Sequence, residues 1–259
     1  MRLDVYLSKC GLCESRAKAQ DAIQEGRVSV DGVIVKKSSM SVEEAMEIHV
    51  EAPETAFASR AGFKLYDVLE PFRIDLHNRI CLDVGASTGG CSDVCLQAGA
   101  RLVYAVDVGR DQLLKRLKED PRVVNMEGVN CRYLQREMFD LQPDFACMDV
   151  SFISIRQILP ALASQFDNLE IVALVKPQFE AGKANVGKHG IVKNEKVHIE
   201  VLQSMCTFVN TLGLYVHHLC ASSVLGRDGN KEFVMHLKHE ECRRVFPIKE
   251  IVKNYQVKR

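Results

Sequence analysis

The chain has 259 residues, 47% of them hydrophobic and 26% charged, and its 34 Lys plus Arg balance 34 Asp plus Glu. That length allows one large domain and a small one, and the composition is that of a globular chain. Zero net charge excludes an overall polycation, so any nucleic-acid contact needs a local basic face, and no run approaches the ~18 apolar residues of a membrane-spanning helix.

The chain opens Met1-Arg2-Leu3-Asp4, with charges where the apolar core of a secretory signal would begin. The ten cysteines are scattered, mostly in apolar runs such as those around Cys81, Cys147 and Cys220. They read as reduced thiols of a cytoplasmic protein. Cys10-x-x-Cys13 has no second such pair and no thioredoxin-like context, so it reads as two helix-borne thiols. His236-x-x-His239-x-x-Cys242 has ligand-like spacing but runs from a strand into a charged segment. It reads as chance, and no metal site is expected.

In chain order, Leu3 and Leu7 predict a short helix over 2–7. Ser15 is a candidate N-cap for a second helix over 16–24, whose apolar stripe is Ala19, Ala22 and Ile23 and whose end is Gly26. Residues 27–35 alternate Val28, Val30, Val33 and Val35 about Asp31-Gly32, which predicts a β-hairpin with a type I′ turn. Basic residues lead this module (Arg2, Lys9, Arg16, Lys18, Arg27, Lys36, Lys37) and acids follow it (Glu43, Glu44, Glu47, Glu51, Glu54). On charge alone, an ordinary mixed surface explains them as well as a phosphate-facing one. Pro53 and the small residues over 53–60 predict a linker, dividing the chain into domains 1–58 and 59–259.

A helix is expected over 61–69, carrying Lys64, where a snorkelling lysine is the default. Strands are expected at 80–84, 102–107, 123–126, 144–150, 171–175, 214–223 and 233–237, with a long helix over 195–212. Near-continuous apolar runs alternating with helical segments predict a mostly parallel sheet covered on both faces. The first strand ends in Asp83-Val84 and a turn with glycines at 85, 89 and 90. That spacing is neither the dinucleotide fingerprint nor a phosphate-cradling loop. It suits a nucleotide-like ligand without a pyrophosphate, such as S-adenosylmethionine; a structural turn explains it equally well when taken alone. Asp107 ends the second strand about 20 residues later, where a carboxylate can accept from a ribose diol. Asp149 and Lys176 follow two further strands, so four features converge on the carboxyl edge of one sheet. Glu232 precedes the last strand, which is expected to run antiparallel beside the strand before Lys176.

Arg2-Leu-Asp-x-x-Leu7, Gly11-Leu, Ser15-Arg16, Ala19, Ile23 and Gly26-x-Val28-x-Val30-x-Gly32 resemble the S4 RNA-binding domain. The resemblance implies RNA contacts by Arg2, Ser15, Arg16, Lys18, Arg27 and Lys36, directed mainly to phosphate and sugar. Across the whole chain, Ser59-Arg-Ala-Gly-Phe-Lys64, Leu82-Asp-Val-Gly-Ala-Ser-Thr-Gly-Gly90, Val106-Asp-Val-Gly109, Asp149-Val-Ser-Phe-Ile-Ser154, Val175-Lys-Pro-Gln-Phe-Glu-Ala-Gly182, Gly187-Lys-x-Gly-Ile-Val192 and Gly229-Asn-Lys-Glu-Phe233 resemble the TlyA family. Its members are often called hemolysins, and they join an S4 domain to an FtsJ-like methyltransferase domain.

The resemblance implies an α/β, Rossmann-like S-adenosylmethionine-dependent methyltransferase domain with a small α+β N-terminal RNA-binding domain. The implied reaction is 2′-O-methylation of a cytidine ribose in ribosomal RNA. Length and terminal segments resemble the shorter form of the family, associated with the large-subunit rRNA. The implied catalytic tetrad is Lys64, Asp149, Lys176 and Glu232. The implied cofactor site comprises Asp83, Gly85, Ala86, Ser87, Thr88, Gly89 and Gly90, with Asp107 on the ribose and Glu127 near the adenine. Two other functions compete: a membrane-active hemolysin, for which the sequence supplies no spanning segment, and a non-catalytic RNA-binding protein on a dead methyltransferase fold.

Overall fold

The computed structural model describes all residues except 14, 44, 51–56, 227–228 and 258–259. Glu44, Glu51 and Glu54 of the acidic flank, and residues 53–56 of the expected linker, lie outside the described residues. The chain divides into two compact units, Met1–Ala56 and Phe57–Arg259.

The first unit contains helices α1 (Leu3–Lys9) and α2 (Arg16–Gln24) and strands β1 (Val28–Val30), β2 (Val33–Ile34) and β3 (Ile48–Val50). Ser15 caps α2, its Oγ accepting from Lys18 N at 3.2 Å. Asp31 (φ 50°) and Gly32 (φ 78°) both adopt the left-handed region, the geometry a type I′ turn needs. The antiparallel sheet has the order β2-β1-β3. Strand β3 carries no alternation long enough to read from sequence; pairing with β1 defines it, Val28 opposite Val50. Leu3, Leu7, Ala19, Ala22, Ile23, Val28, Val30 and Val42 form the core.

The second unit is a seven-stranded sheet. In chain order its elements are α3 (Ala61–Phe72), β4 (Ile80–Val84), α4 (Gly90–Gln97), β5 (Leu102–Asp107), α5 (Lys115–Lys118), β6 (Val123–Glu127), β7 (Phe145–Met148), α6 (Leu159–Gln165), β8 (Glu170–Val175), α7 (Pro177–Glu180), α8 (Glu195–Thr211), β9 (Tyr215–Ala221), β10 (Phe233–Lys238) and α9 (Ile248–Lys253). The sheet order is β6-β5-β4-β7-β8-β10-β9. Strands β4 to β8 are parallel, and β10 runs antiparallel to both β8 and β9.

The expected antiparallel placement of the last strand is observed, with Phe233 opposite Val175. The strand expected over 144–150 ends at Met148, so Asp149 starts the loop. Phe57 and Ala58, expected in the linker, pack with the second unit; the Phe57 ring stands edge-on to Phe63 at 5.1 Å.

Alternating side chains of each strand feed two cores. Leu82, Val84, Ile171, Ala173 and Val175 face α6, α8 and α9, while Cys81, Val172 and Leu174 face α3 and α4. Burial on both faces is why these strands read as unbroken apolar runs. Helices α3 and α4 meet through two glycines. A Cβ on Gly62 would lie 2.7 Å from Phe57 Cβ and 2.9 Å from Gly90 O, and one on Gly90 would lie 2.4 Å from Ser59 Oγ. Because one wall of that contact is backbone, the helices cannot separate cheaply. Gly62→Ala is therefore expected to destabilise the protein by about 1–3 kcal/mol through overpacking; urea unfolding at equilibrium measures it, and an unchanged midpoint contradicts the close-contact account.

Candidate active site

The order of the parallel strands reverses at β4: β5 lies on one side and β7 on the other. Ligands of such sheets bind at this switch point, beyond the carboxyl ends of the strands. Gly85 leaves β4 at φ 86°, and a Cβ there would meet Asp149 O at 3.0 Å and Val150 Cγ1 at 2.9 Å. Only glycine allows both that conformation and that approach.

Gly85 N and Ala86 N both donate to Val106 O, at 2.9 and 3.0 Å, and Ser87 N donates to Asp107 Oδ2 at 2.8 Å. These three amides are thus spent on β5 and are not offered together as an anion nest, which fits a ligand without a pyrophosphate. Ser87 (φ 47°) is exposed and Thr88 half-buried. Gly89 and Gly90 have a packing reason of their own. A Cβ at Gly89 would come within 2.2 Å of Leu117 Cδ1, and Gly90 is filled by the α3 contact.

The three acids expected at the cofactor site divide into different tasks. Asp107 lies at the β5 end and accepts from Ser87 N and from Gly109 N (2.7 Å), leaving further lone pairs for a diol. Glu127 accepts from Gln112 N (2.6 Å), Leu113 N (3.0 Å) and Asn125 Nδ2 (2.9 Å), with Lys118 Nζ at 3.1 Å. Desolvation opposes its charge, but these donors prevail and hold its pKa down at about 2. Its acceptor capacity is filled by its own chain, so its observed task is to brace the 112–113 loop. Asp83 is buried beneath the turn, where its Oδ2 accepts from Ser92 N (2.8 Å) and Ser92 Oγ (2.7 Å) and so ties β4 to α4.

Lys64, Asp149, Lys176 and Glu232, from four separate elements, meet at the same edge. Lys64 Nζ donates to Asp149 Oδ2 at 3.0 Å and to Glu232 Oε2 at 2.7 Å. Lys176 Nζ lies 2.6 Å from Asp149 Oδ1 as an ion pair and donates to Ser151 Oγ at 3.0 Å. All four side chains are at most 9% exposed.

Burial alone would lower the Lys64 pKa. The charges of Asp149 and Glu232 reverse that and hold the amine protonated, above the ordinary lysine range. Burial likewise pushes Asp149 up, but Lys64 and Lys176 outweigh it and keep the carboxylate ionised. Gly226 closes over Glu232, since a Cβ there would lie 2.1 Å from Glu232 Oε1, and Tyr255 Oη accepts from Glu232 N at 3.2 Å. Sequence reasoning missed Asn230, which is buried just upstream: its Oδ1 accepts from Val192 N (3.1 Å) and its Nδ2 donates to Gly190 O (3.0 Å). The joint presence of Gly187-x-x-Gly-Ile-Val192 and Gly229-Asn-Lys-Glu was the available signal.

In the first unit, Asp4, also missed, organises two of the basic residues. Arg2 Nε and Nη2 donate to its two oxygens at 3.0 Å, and Arg16 Nε (2.9 Å) and Gln20 Nε2 (2.8 Å) donate to Oδ2. The hydrogen bonds from Arg2 lead the causes that hold the Asp4 carboxyl well below the usual range. Arg2 and Arg16 are about half exposed, at 47% and 55%, and so present a fixed pair of guanidinium edges. Arg27 pairs with Glu25 at 2.8 Å, and Lys18 and Lys36 are exposed. Ser15 serves as the α2 cap.

His236, from the ligand-like run, stands 2.7 Å from Glu170 Oε1 and 2.9 Å from His218 Nδ1. Among the described residues no cluster of His, Cys, Asp or Glu could hold a metal, and no helix is long and apolar enough to cross a membrane.

Residues 57–239 match the FtsJ-like methyltransferase family, and residues 1–48 match the S4 domain. The chain belongs to the TlyA family of FtsJ-like methyltransferases that carry an S4 domain. It is 38% identical over 244 residues to the 16S/23S rRNA (cytidine-2′-O)-methyltransferase TlyA of Mycobacterium tuberculosis, covering 93% of this chain and 91% of that one. It is 41% identical over 238 residues to Hemolysin A of Brachyspira hyodysenteriae, covering 91% of this chain and 99% of that one. A solved structure from Streptococcus thermophilus superposes with a TM-score of 0.79 at 40% identity, covering 98% and 94% of the two chains. The fold recurs at 10% identity in an S-adenosylmethionine dependent methyltransferase of Mesorhizobium loti, with a TM-score of 0.50 over 69% of this chain and 99% of that one.

Asp83 supplies a pH test of this local architecture. Burial pushes its pKa up to about 7, Ser92 opposes the shift, and the charges of Asp149 and Asp107 add to it. The folded pKa lies above the ordinary value of 3.8, so its contribution to stability is fully present below about pH 4 and is lost as pH rises through about 7. Asp83→Asn should therefore flatten the stability change between pH 4 and 7 relative to the parent, measured by denaturant unfolding across that window. Parallel curves contradict a buried, proton-holding Asp83.

Proposed function

We propose that this chain transfers a methyl group from S-adenosylmethionine to the 2′-hydroxyl of a cytidine ribose in ribosomal RNA, with the large-subunit rRNA as substrate and the cytoplasm as its place of action. The observation that carries this is the contact chain Glu232–Lys64–Asp149–Lys176 at the switch point, beside the glycine turn of β4. Relatives at 38% and 32% identity are named rRNA (cytidine-2′-O)-methyltransferases, which supports the same substrate.

The residues around the turn fit the proposed cofactor. Gly85 lets the β4 turn approach Asp149 closely, and Ser87 and Thr88 remain accessible in that turn. Asp107 retains acceptor capacity for a ribose diol. Bound there, S-adenosylmethionine supplies an electrophilic methyl group on a sulfonium.

The chain's own residues hold and polarise the acceptor. Lys64, shared by two carboxylates, stays charged and acts as the fixed centre of the site. Asp149 aligns both lysines, and its carboxylate would favour a cationic group bound close to it. Lys176 has one carboxylate and one hydroxyl partner, so it is the tetrad amine we assign to the 2′-hydroxyl. It orients the oxygen and either takes the hydroxyl proton on Nζ as general base or stabilises the developing alkoxide while water takes that proton. In the first unit, the Arg2–Asp4–Arg16 arrangement, with Lys18, Arg27 and Lys36, supports RNA backbone contact.

The test is methyl transfer from labelled S-adenosylmethionine to unmodified ribosomal subunits, with the modified nucleotide mapped. Lys176→Ala should lower the rate by ~10²–10⁴-fold while calorimetry shows cofactor affinity unchanged; full activity in this variant removes Lys176 from the chemistry. Asp107→Ala should mainly weaken cofactor binding, and unchanged affinity removes it from the site.

A further inference from the structure

The loops that carry the two charged partners of the methyl-transfer site are joined a second time, away from the lysines. The loop after β7 carries Asp149 and Ser151, reaches the exposed Phe152 at φ 65°, and ends in a 3-10 turn, Ile155–Gln157. The turn after β8 begins at Lys176, the N-cap of α7, and ends at Glu180. Strands β7 and β8 are adjacent and parallel, so the two loops leave the sheet side by side. At the near end they are joined by the Lys176–Asp149 ion pair and the Lys176–Ser151 hydrogen bond. At the far end the Glu180 carboxylate accepts from Ser154 Oγ at 2.6 Å and from Ile155 N at 2.9 Å. The Phe152 and Phe179 rings stand 5.5 Å apart between these ends.

We propose that Glu180 is a positioning residue for methyl transfer: its carboxylate buckles the Asp149 loop to the Lys176 turn and so sets the spacing of the reactive pair. The inference rests on the methyltransferase reading above. The hydrogen bonds and ion pair of Glu180 go to Ser154, Ile155 and Arg156 and to none of the four tetrad residues, and its own side chain is 2% exposed. Pro177 fixes φ at the start of α7, and Phe179 N donates to Lys176 O at 2.9 Å, so Lys176 and Glu180 belong to one stiff turn.

The other end of the buckle is equally held. Arg156 Nε lies 3.6 Å from Glu180 Oε2, its Nη2 donates to Ser204 Oγ of α8 at 2.8 Å, and its guanidinium lies over Phe208. A bulky residue at positive φ, as at Phe152, persists only where its surroundings over-determine it. The double attachment of this loop, at Asp149 and at Ser154–Ile155, supplies that constraint. Without Glu180, the Ile155 amide and Ser154 hydroxyl lose a buried partner, and the far end of the loop keeps its tie to α8 through Arg156 but loses its direct tie to the Lys176 turn.

Four single variants, Glu180→Ala, Glu180→Asp, Glu180→Gln and Ser154→Ala, and the Glu180→Ala/Ser154→Ala double variant are to be compared with the parent in single-turnover methylation of unmodified large subunits, at saturating cofactor and subunit. Cofactor affinity is measured by calorimetry and the melting temperature alongside. Glu180→Ala and Glu180→Asp, the latter too short to reach, should lower the rate about 10- to 100-fold, the scale of a small misplacement of reacting groups, with cofactor affinity within about twofold. Glu180→Gln keeps an acceptor for Ile155 N and a polar partner for Ser154, so it should stay within about threefold of the parent. Ser154→Ala should fall between, and should add nothing when combined with Glu180→Ala.

If Glu180→Ala fails to fold, the Asp, Gln and Ser154 variants carry the same comparison. A lowered melting temperature with an unchanged rate in Glu180→Ala or Glu180→Asp overturns the inference, as does a Gln variant as slow as the Ala variant. A parent protein that transfers no methyl to rRNA overturns the methyltransferase reading, and this inference with it.

Discussion

A protonated lysine held between two carboxylates away from water is the constraint on which this fold turns. Lys64 would lose its charge if buried alone, and a buried Asp149 would gain a proton; the carboxylates of Asp149 and Glu232 keep the amine charged, and Lys64 with Lys176 keeps Asp149 ionised. Together they stay ionised because each supplies what desolvation removes. The three groups come from a helix, a parallel strand end and the entry to an antiparallel strand, so the cluster forms only once the whole sheet edge is assembled. Removing one member of such a set leaves an uncompensated buried charge, which is far more disruptive than replacing an exposed ion pair.

That requirement reaches back into parts of the chain with no chemistry of their own. Helix α3 must sit close enough to bring Lys64 to the edge, and Gly62 against Gly90 permits it. Asp93 extends the same contact, accepting from Ala58 N at 2.6 Å and pairing with Arg116 of α5. On the other flank, Gly226 leaves room for Glu232, and Asn230 fastens the preceding segment to Gly190 and Val192. The glycine turn of β4 belongs to this scheme as much as to a ligand: Gly85 brings the backbone against Asp149, and Gly89 and Gly90 serve packing.

What could be read from sequence follows from how local each signal is. The parallel strands were legible because burial on both faces makes them continuous apolar runs, and the hairpin was legible because Asp31-Gly32 carries the backbone preference of its turn. The sheet-edge positions of Asp149 and Lys176 followed from strand ends alone. Lys64 and Glu232 did not, because a lysine on an amphipathic helix and an acid before a strand look like solvated residues until the partners are in place; only resemblance to a family singled them out. Asp4 and Asp93 escaped notice for the same reason. Strand β3 has too few residues to show a period. Glu127 was legible as an acid near a strand end, but its saturation by the 112–113 amides and Lys118 depends on a fold-back that no spacing reveals.

The two acids that end neighbouring strands show how one residue type reaches opposite roles. Glu127 is surrounded by donors from its own chain, so its charge is secured and its lone pairs are used. Asp107 accepts two backbone amides and keeps further acceptor positions open toward the switch point. An acid that is already satisfied braces a loop; one that is partly satisfied is held in orientation and can still receive a donor. The same distinction separates the two lysines of the tetrad: Lys64 is enclosed by two carboxylates, whereas Lys176 has one, with a serine hydroxyl as its other partner. Unmet bonding capacity, more than residue type, is what distinguishes the two members of each pair.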